Sequence, residues 1–186
     1  MLIHKGVLNH AGAEAPFGGF LVSAEQKKPD PARFSSARLA AVQALYSMDI
    51  TGATPVQALD EYKARRENAS ELDKSMAKPD ADLLTMLVHG TSAELDTIDE
   101  MIGGALSGEW TVDRIEAILR AILRVGIWEL KTRQNTPARV AVSEYVDLAR
   151  AFYAGTEPGL VNAVMDRMAR ILRPHEFDNG NGRNAG

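Results

Sequence analysis

Residues 119–131 read LRAILRVGIWELK, and the reading of this stretch decides the fold class. Set on a helical wheel, Ile118, Leu119, Ala121, Ile122, Leu123, Val125, Gly126, Ile127, Trp128 and Leu130 cover far more than the roughly 100° stripe of a surface helix. The segment is therefore predicted to be a central helix, packed on nearly all sides. Arg120, Arg124 and Lys131 fall within a sector of about 40°, the one continuous polar strip the helix keeps. Such a strip is either a solvated edge or a surface that meets an anion. Glu129 lies on the apolar side, where an ionised carboxylate is costly unless paired, so Arg133 or a neighbouring helix must supply a cation. Trp128 and Met48 are read as core, and His89 as a packing residue.

Outward from this helix the chain keeps one period. Apolar residues recur at intervals of three and four, and alternating β-branched runs are missing from the interior, which predicts an all-α fold. Ser35 or Ser36 is expected to cap a first helix that ends at Thr51-Gly52. In TPVQ (54–57), Thr54 caps, Pro55 suits the first turn and Gln57 completes a capping box. One long helix is predicted from Asp80 to about Ile102, with Gly90 inside it. Thr111 is read as the next cap, and Pro137 and Pro158 each open a further helix, for six or seven in all. Residues 1–33, aperiodic and rich in Gly and Pro, are expected to be a disordered leader, residues 34–173 the folded domain, and residues 174–186 a flexible tail.

Composition limits what the chain can do. Its 186 residues, 45% apolar and 25% charged, suffice for one sizeable core. With no cysteine, disulfides, thiolate metal sites and cysteine nucleophiles are excluded. The four histidines are too scattered to suggest a metal site. No apolar run approaches a membrane span, and a cytoplasmic location is expected. Charge is uneven: residues 49–112 carry a net −8, residues 113–173 a net +3 and residues 1–48 a net +2. Basic ends around an acidic middle suit a protein whose ends meet a polyanion. Phosphate-binding loops, HExxH, GxSxG and EF-hand patterns are missing from the sequence, so the expectation is a binding protein without cofactor, metal or catalytic residues.

Two stretches carry a family likeness. SARLAAVQALYSMDITG (36–52) and ILRAILRVGIWELKTRQNTPARVAVSEYVDLARAFYAGTEPGLVNAVMDRMAR (118–170) resemble the NusB family of transcription antitermination factors, and the likeness extends from Ser36 to Arg173. It implies a compact fold of two small helical bundles, about seven helices, with the first helices packed against the last. It also implies binding of boxA RNA in ribosomal-RNA leaders together with NusE, a small-subunit ribosomal protein, within an antitermination complex that lets RNA polymerase read through terminators. Homodimers occur in parts of the family.

On that resemblance the strip Arg120, Arg124 and Lys131 becomes an RNA-binding candidate, because phosphates are met by cations gathered from several helices. Arg139 and Arg150, sharing a polar sector with Ser143, and the aromatics Phe152 and Tyr153 join it, since single strands are held by stacking unpaired bases. Family members often begin the first helix with an arginine-rich run; here ARFSSAR leaves only Arg33 and Arg38 as candidates. Tyr46, Leu119 and Leu160 are the candidate partner-binding residues. The competing reading is a helical adaptor that binds protein alone through its acidic middle. A third, the RNA-binding module of a methyltransferase, lacks room for a nucleotide-binding α/β domain.

Overall fold

The computed structural model describes residues 30–69, 77–106 and 110–177; the expected leader therefore lies outside the described residues up to position 29, and the tail from 178 onward. Seven α-helices are described: α1 (Pro31–Thr51), α2 (Pro55–Glu67), α3 (Ala81–Ala93), α4 (Leu95–Ala105), α5 (Ala117–Thr132), α6 (Ala138–Phe152) and α7 (Glu157–Leu172). Short 3₁₀ turns at Val112–Arg114 and Pro174–Glu176 join and close them. The fold is all-α, as the periodicity predicts.

Local chemistry sets most boundaries. Thr54 and Gln57 form the expected capping box: the Gln57 N–H donates to Thr54 Oγ1 at 3.3 Å and the Thr54 N–H to Gln57 Oε1 at 2.9 Å. Gly52 ends α1 at φ 70°, a left-handed conformation, and its N–H bonds Met48 O, as glycine caps do without steric penalty. Three expectations fail. α1 starts at Pro31, because Asp30 accepts from the Ala32 N–H at 3.1 Å while Ser35 is used elsewhere, so Pro31–Arg33 belong to the helix and not to a leader. Thr111 introduces a 3₁₀ turn, and α5 begins only after Glu116. The predicted long helix breaks at Glu94, where the backbone turns to φ −125°, ψ 22°. Neither glycine nor proline marks that break; the Glu94 carboxylate is instead drawn toward α5.

α1, α2 and α3 pack on one another, α5, α6 and α7 form the second bundle, and α4 lies against α5 and α7. α1 meets the later helices chiefly through α5, which touches α1, α3, α4, α6 and α7. Eleven of its sixteen residues are buried, so the central position read from the wheel is observed. Close approach fixes one glycine: a Cβ on Gly90 would fall 1.9 Å from Trp128 Cζ2, so the bare backbone of α3 is what admits the indole. Trp128 is core, as expected, whereas His89 is exposed on the outer face of α3.

Candidate nucleic-acid interface

The basic strip of α5 meets anions of its own chain. Arg124 donates both Nε and Nη2 to Asp99 of α4, at 2.7 and 2.6 Å, and Nη1 to both oxygens of Asp49 at the end of α1, at 2.9 Å each. Burial alone lowers the Arg124 pKa, but the bonds to Asp99 and then the charge of Asp49 reverse this and leave it raised. Arg120 shares Asp49, through Nε at 3.2 Å and Nη2 at 2.9 Å, and turns Nη1 toward the Val112 and Ile115 carbonyls. Lys131 pairs with Glu94, which also accepts from the Trp128 indole N–H at 3.2 Å; its carboxyl pKa is lowered first by the Lys131 hydrogen bond. The strip is thus paired within the chain, with Arg124 buried and Arg120 and Lys131 half-buried. It ties α5 to α1 and α4, and part of the acidic middle is its counter-charge.

A second cluster withdraws Arg38 from the surface. Its guanidinium grips Glu129 with two bonds, Nε to Oε2 at 2.9 Å and Nη2 to Oε1 at 2.7 Å, and sends Nη1 to Glu144 at 3.2 Å. The Tyr145 hydroxyl donates to Glu129 Oε2 at 2.7 Å, Arg133 stands 3.5 Å from Oε1, and Ser35 donates to Glu144 at 2.7 Å. Glu129 is fully buried and Arg38 only 4% exposed, so the partner demanded by the wheel is supplied by α1 with Arg133 beside it. Burial would lower the Arg38 pKa; the Glu129 bonds more than reverse that and hold it above its ordinary value. Burial, then the Glu129 charge, pushes the Tyr145 phenol up. Arg38 locks α1 to α5 and α6 and is corrected from an RNA ligand to a structural cation.

Arg173 was not foreseen. It is fully buried and donates to the carbonyls of Glu129, Leu130, Arg133 and Thr136, at 3.2, 2.7, 2.8 and 2.6 Å, satisfying the open end of α5. It also bonds Glu176 Oε1 at 3.2 Å, while Glu176 Oε2 accepts the Ala138 N–H at 2.7 Å. One ion pair therefore closes α5 and opens α6, and the 3₁₀ turn carrying Glu176 is part of the fold, not of a flexible tail.

The remaining candidates divide by exposure. Leu119 is 1% exposed; as a core residue it cannot bind a partner, and that assignment is corrected. Tyr153 is half-buried beside Glu116, and burial followed by that carboxylate raises its pKa, so its hydroxyl is engaged internally. Arg33 is half-exposed near Asp80, at 3.6 Å. Leu160 is half-buried, and Tyr46 and Phe152 are exposed. Arg139 and Arg150 lie exposed on α6, Arg150 paired with Asp147 at 2.7 Å. Together with Ser143 they line a groove between α6 and α7 whose other wall is Asn162 and Asp166 and whose end is Phe177. Asn162 and Phe177 were missed: Phe177 sits where the composition reads as loose tail, and Asn162 has no partner in sequence to signal it.

These features define an all-helical two-bundle protein whose internal arginines hold the bundles together, with Arg139, Arg150 and Phe152 exposed along α6. Residues 35–170 match the NusB family. The chain is 44% identical over 165 residues to the transcription antitermination protein NusB of Rhodospirillum rubrum, covering 80% of this chain and 89% of that protein. It is 46% identical over 137 residues to the protein of that name from Brucella anthropi, covering 74% and 82%. Among solved structures, T. maritima NusB matches with a TM-score of 0.62 at 23% identity, over 77% of this chain and 96% of that one. A crystal structure of antitermination factors NusB and NusE in complex with dsRNA matches with a TM-score of 0.59 at 23% identity, over 74% and 96%. The chain belongs to the NusB family.

Proposed function

We propose that the chain is an RNA-binding transcription antitermination factor that binds boxA RNA of ribosomal-RNA leaders together with NusE and promotes read-through by RNA polymerase. The carrying observation is the 44% identity to a transcription antitermination protein along 80% of the chain; the structural neighbour solved with NusE and dsRNA supports the pair of partners. The protein acts by binding, without a cofactor, in the cytoplasm; among the described residues no helix is long and apolar enough to cross a membrane. RNA contacts come from α6, through Arg139, Arg150 and Phe152, with Arg33 at the start of α1. Tyr46, exposed near the end of α1, and Leu160 serve the protein partner.

A protein-only adaptor is the second reading, and one observation favours it: Arg38, Arg120, Arg124 and Lys131 all pair with carboxylates of the same chain. Titration of boxA RNA with and without NusE, at two salt concentrations, separates the two. Salt-sensitive binding that NusE tightens supports the antitermination factor. NusE binding with no RNA affinity in either mixture supports the adaptor.

A further inference from the structure

The groove between α6 and α7 sets exposed polar side chains beside Val142, Val146 and Phe177, which pack in or against the core. Val142 and Val146 belong to its lining, with Arg139, Ser143 and Arg150 along α6 and Asn162 and Asp166 along α7, around about 300 Å³. The α6 polar residues are spaced four and seven apart and the α7 pair four apart, so each set lies on one helical face. At its end, Phe177 lies under two guanidinium groups, the Arg139 Cζ 5.7 Å and the Arg170 Cζ 4.9 Å from the ring centroid. Arg170 faces Asp166 at 2.8 Å and Arg150 faces Asp147 at 2.7 Å, both in exposed pairs that solvent screens. Among the described residues Arg139 has no carboxylate partner, and the exposed side chains of Ser143 and Asn162 make no hydrogen bond.

A guanidinium without a carboxylate partner, an aromatic ring and two exposed polar side chains with no partner in the chain, around a cleft of this size, match the needs of one unstacked nucleotide. Proteins hold such bases against aromatic rings or guanidinium planes, read their edges with hydrogen bonds and meet the phosphate with a cation. We propose that this groove is a subsite for one nucleotide of single-stranded RNA, with the base beside Phe177, its edge toward Ser143 and Asn162, and its phosphate on Arg139. The inference rests on the RNA-binding reading above and adds to it a discrete base-holding position formed in part by the turn after α7. A duplex keeps its bases stacked and has nothing to place there.

The test uses the full chain with NusE and a short single-stranded boxA RNA carrying 5-iodouridine for photo-cross-linking, together with a fluorescent copy for affinity and an RNA duplex as comparison. Cross-linking of the unmodified protein is expected to mark the peptide containing Phe177. Phe177→Leu, which keeps apolar bulk, is expected to weaken single-strand binding about fivefold or more, the lower end of the loss of one base–aromatic stack, with duplex binding unchanged. Phe177→Tyr restores the affinity. Arg139→Gln lowers the salt slope by about 0.7, one single-strand phosphate contact.

If the unmodified protein binds the RNA while these variants match it, or cross-links fall only on other helices, the subsite is refuted and the RNA-binding reading stands. If the unmodified protein fails to bind, both fall. If Phe177→Leu instead loses NusE in the absence of RNA, the groove is a protein contact and the subsite is refuted. A loss of folding in Phe177→Leu, seen as a lowered melting midpoint, leaves the cross-link and the Arg139→Gln slope to decide.

Discussion

Replacing Glu129 with leucine removes the acceptor around which α1, α5 and α6 are joined. In the unmodified protein its two oxygens take two Arg38 bonds and the Tyr145 hydroxyl, with Arg133 nearby. The variant leaves a guanidinium that is 4% exposed with Glu144 at 3.2 Å as its remaining carboxylate. Breaking a buried pair by removing one partner costs about 3–5 kcal/mol, because the other charge stays buried. Since Glu144 remains as a partner of Arg38, the lower end applies, about 3 kcal/mol. For a chain of this size that is a fall of roughly 6–12 °C in melting midpoint. Urea unfolding followed by circular dichroism gives the free energy. The double variant Arg38→Met, Glu129→Leu is expected to recover at least half of the loss, since the deeply buried guanidinium is then gone. A single variant within about 0.5 kcal/mol of the unmodified protein, the range of ordinary surface changes, would refute the reasoning.

Other perturbations test other parts. Gly90→Ala is expected to cost about 1–3 kcal/mol by overpacking, since the new Cβ falls 1.9 Å from Trp128 Cζ2; thermal denaturation with near-ultraviolet dichroism of the indole reads it. Arg124→Gln strands Asp99 and half-frees Asp49, so denaturant unfolding should show lost stability, and any loss of RNA affinity should scale with the unfolded fraction. The Glu176 carboxyl is held below its ordinary value of 4.5, first by the Ala138 N–H and then by Arg173. A depressed folded pKa stabilises above the unfolded value and is lost as pH falls through the folded one, so stability should decline from about pH 4.5 downward, and Glu176→Gln should flatten that decline in melting midpoints measured against pH.

The helices were legible because their signals are local. Thr54, Pro55 and Gln57 announce α2 without tertiary help, and the breadth of the apolar sector on α5 announces a central helix. The Glu94 break was not legible, since the apolar period runs on through it and the partners its carboxylate meets, Lys131 and Trp128, lie more than thirty residues away. The same distance hid the fate of the arginines. A wheel shows that Arg38 and Arg124 are charged and share a face with others; it cannot show that Glu129, Asp49 and Asp99 come to meet them. The segment charges held the clue: an acidic middle beside a basic strip satisfies itself before it satisfies a ligand. Arg173 and Phe177 were lost to the loose composition that follows them.

The claim that RNA meets this protein on α6, and not on the basic strip of α5, is tested most directly by the salt dependence of boxA RNA affinity for the Arg139→Gln, Arg150→Gln variant with NusE present. Each single-strand phosphate contact contributes about 0.7 to the slope of log affinity against log salt, so the loss of two lowers it by about 1.4, with the melting midpoint unchanged. A variant that binds boxA RNA with the affinity and salt slope of the unmodified protein contradicts the account.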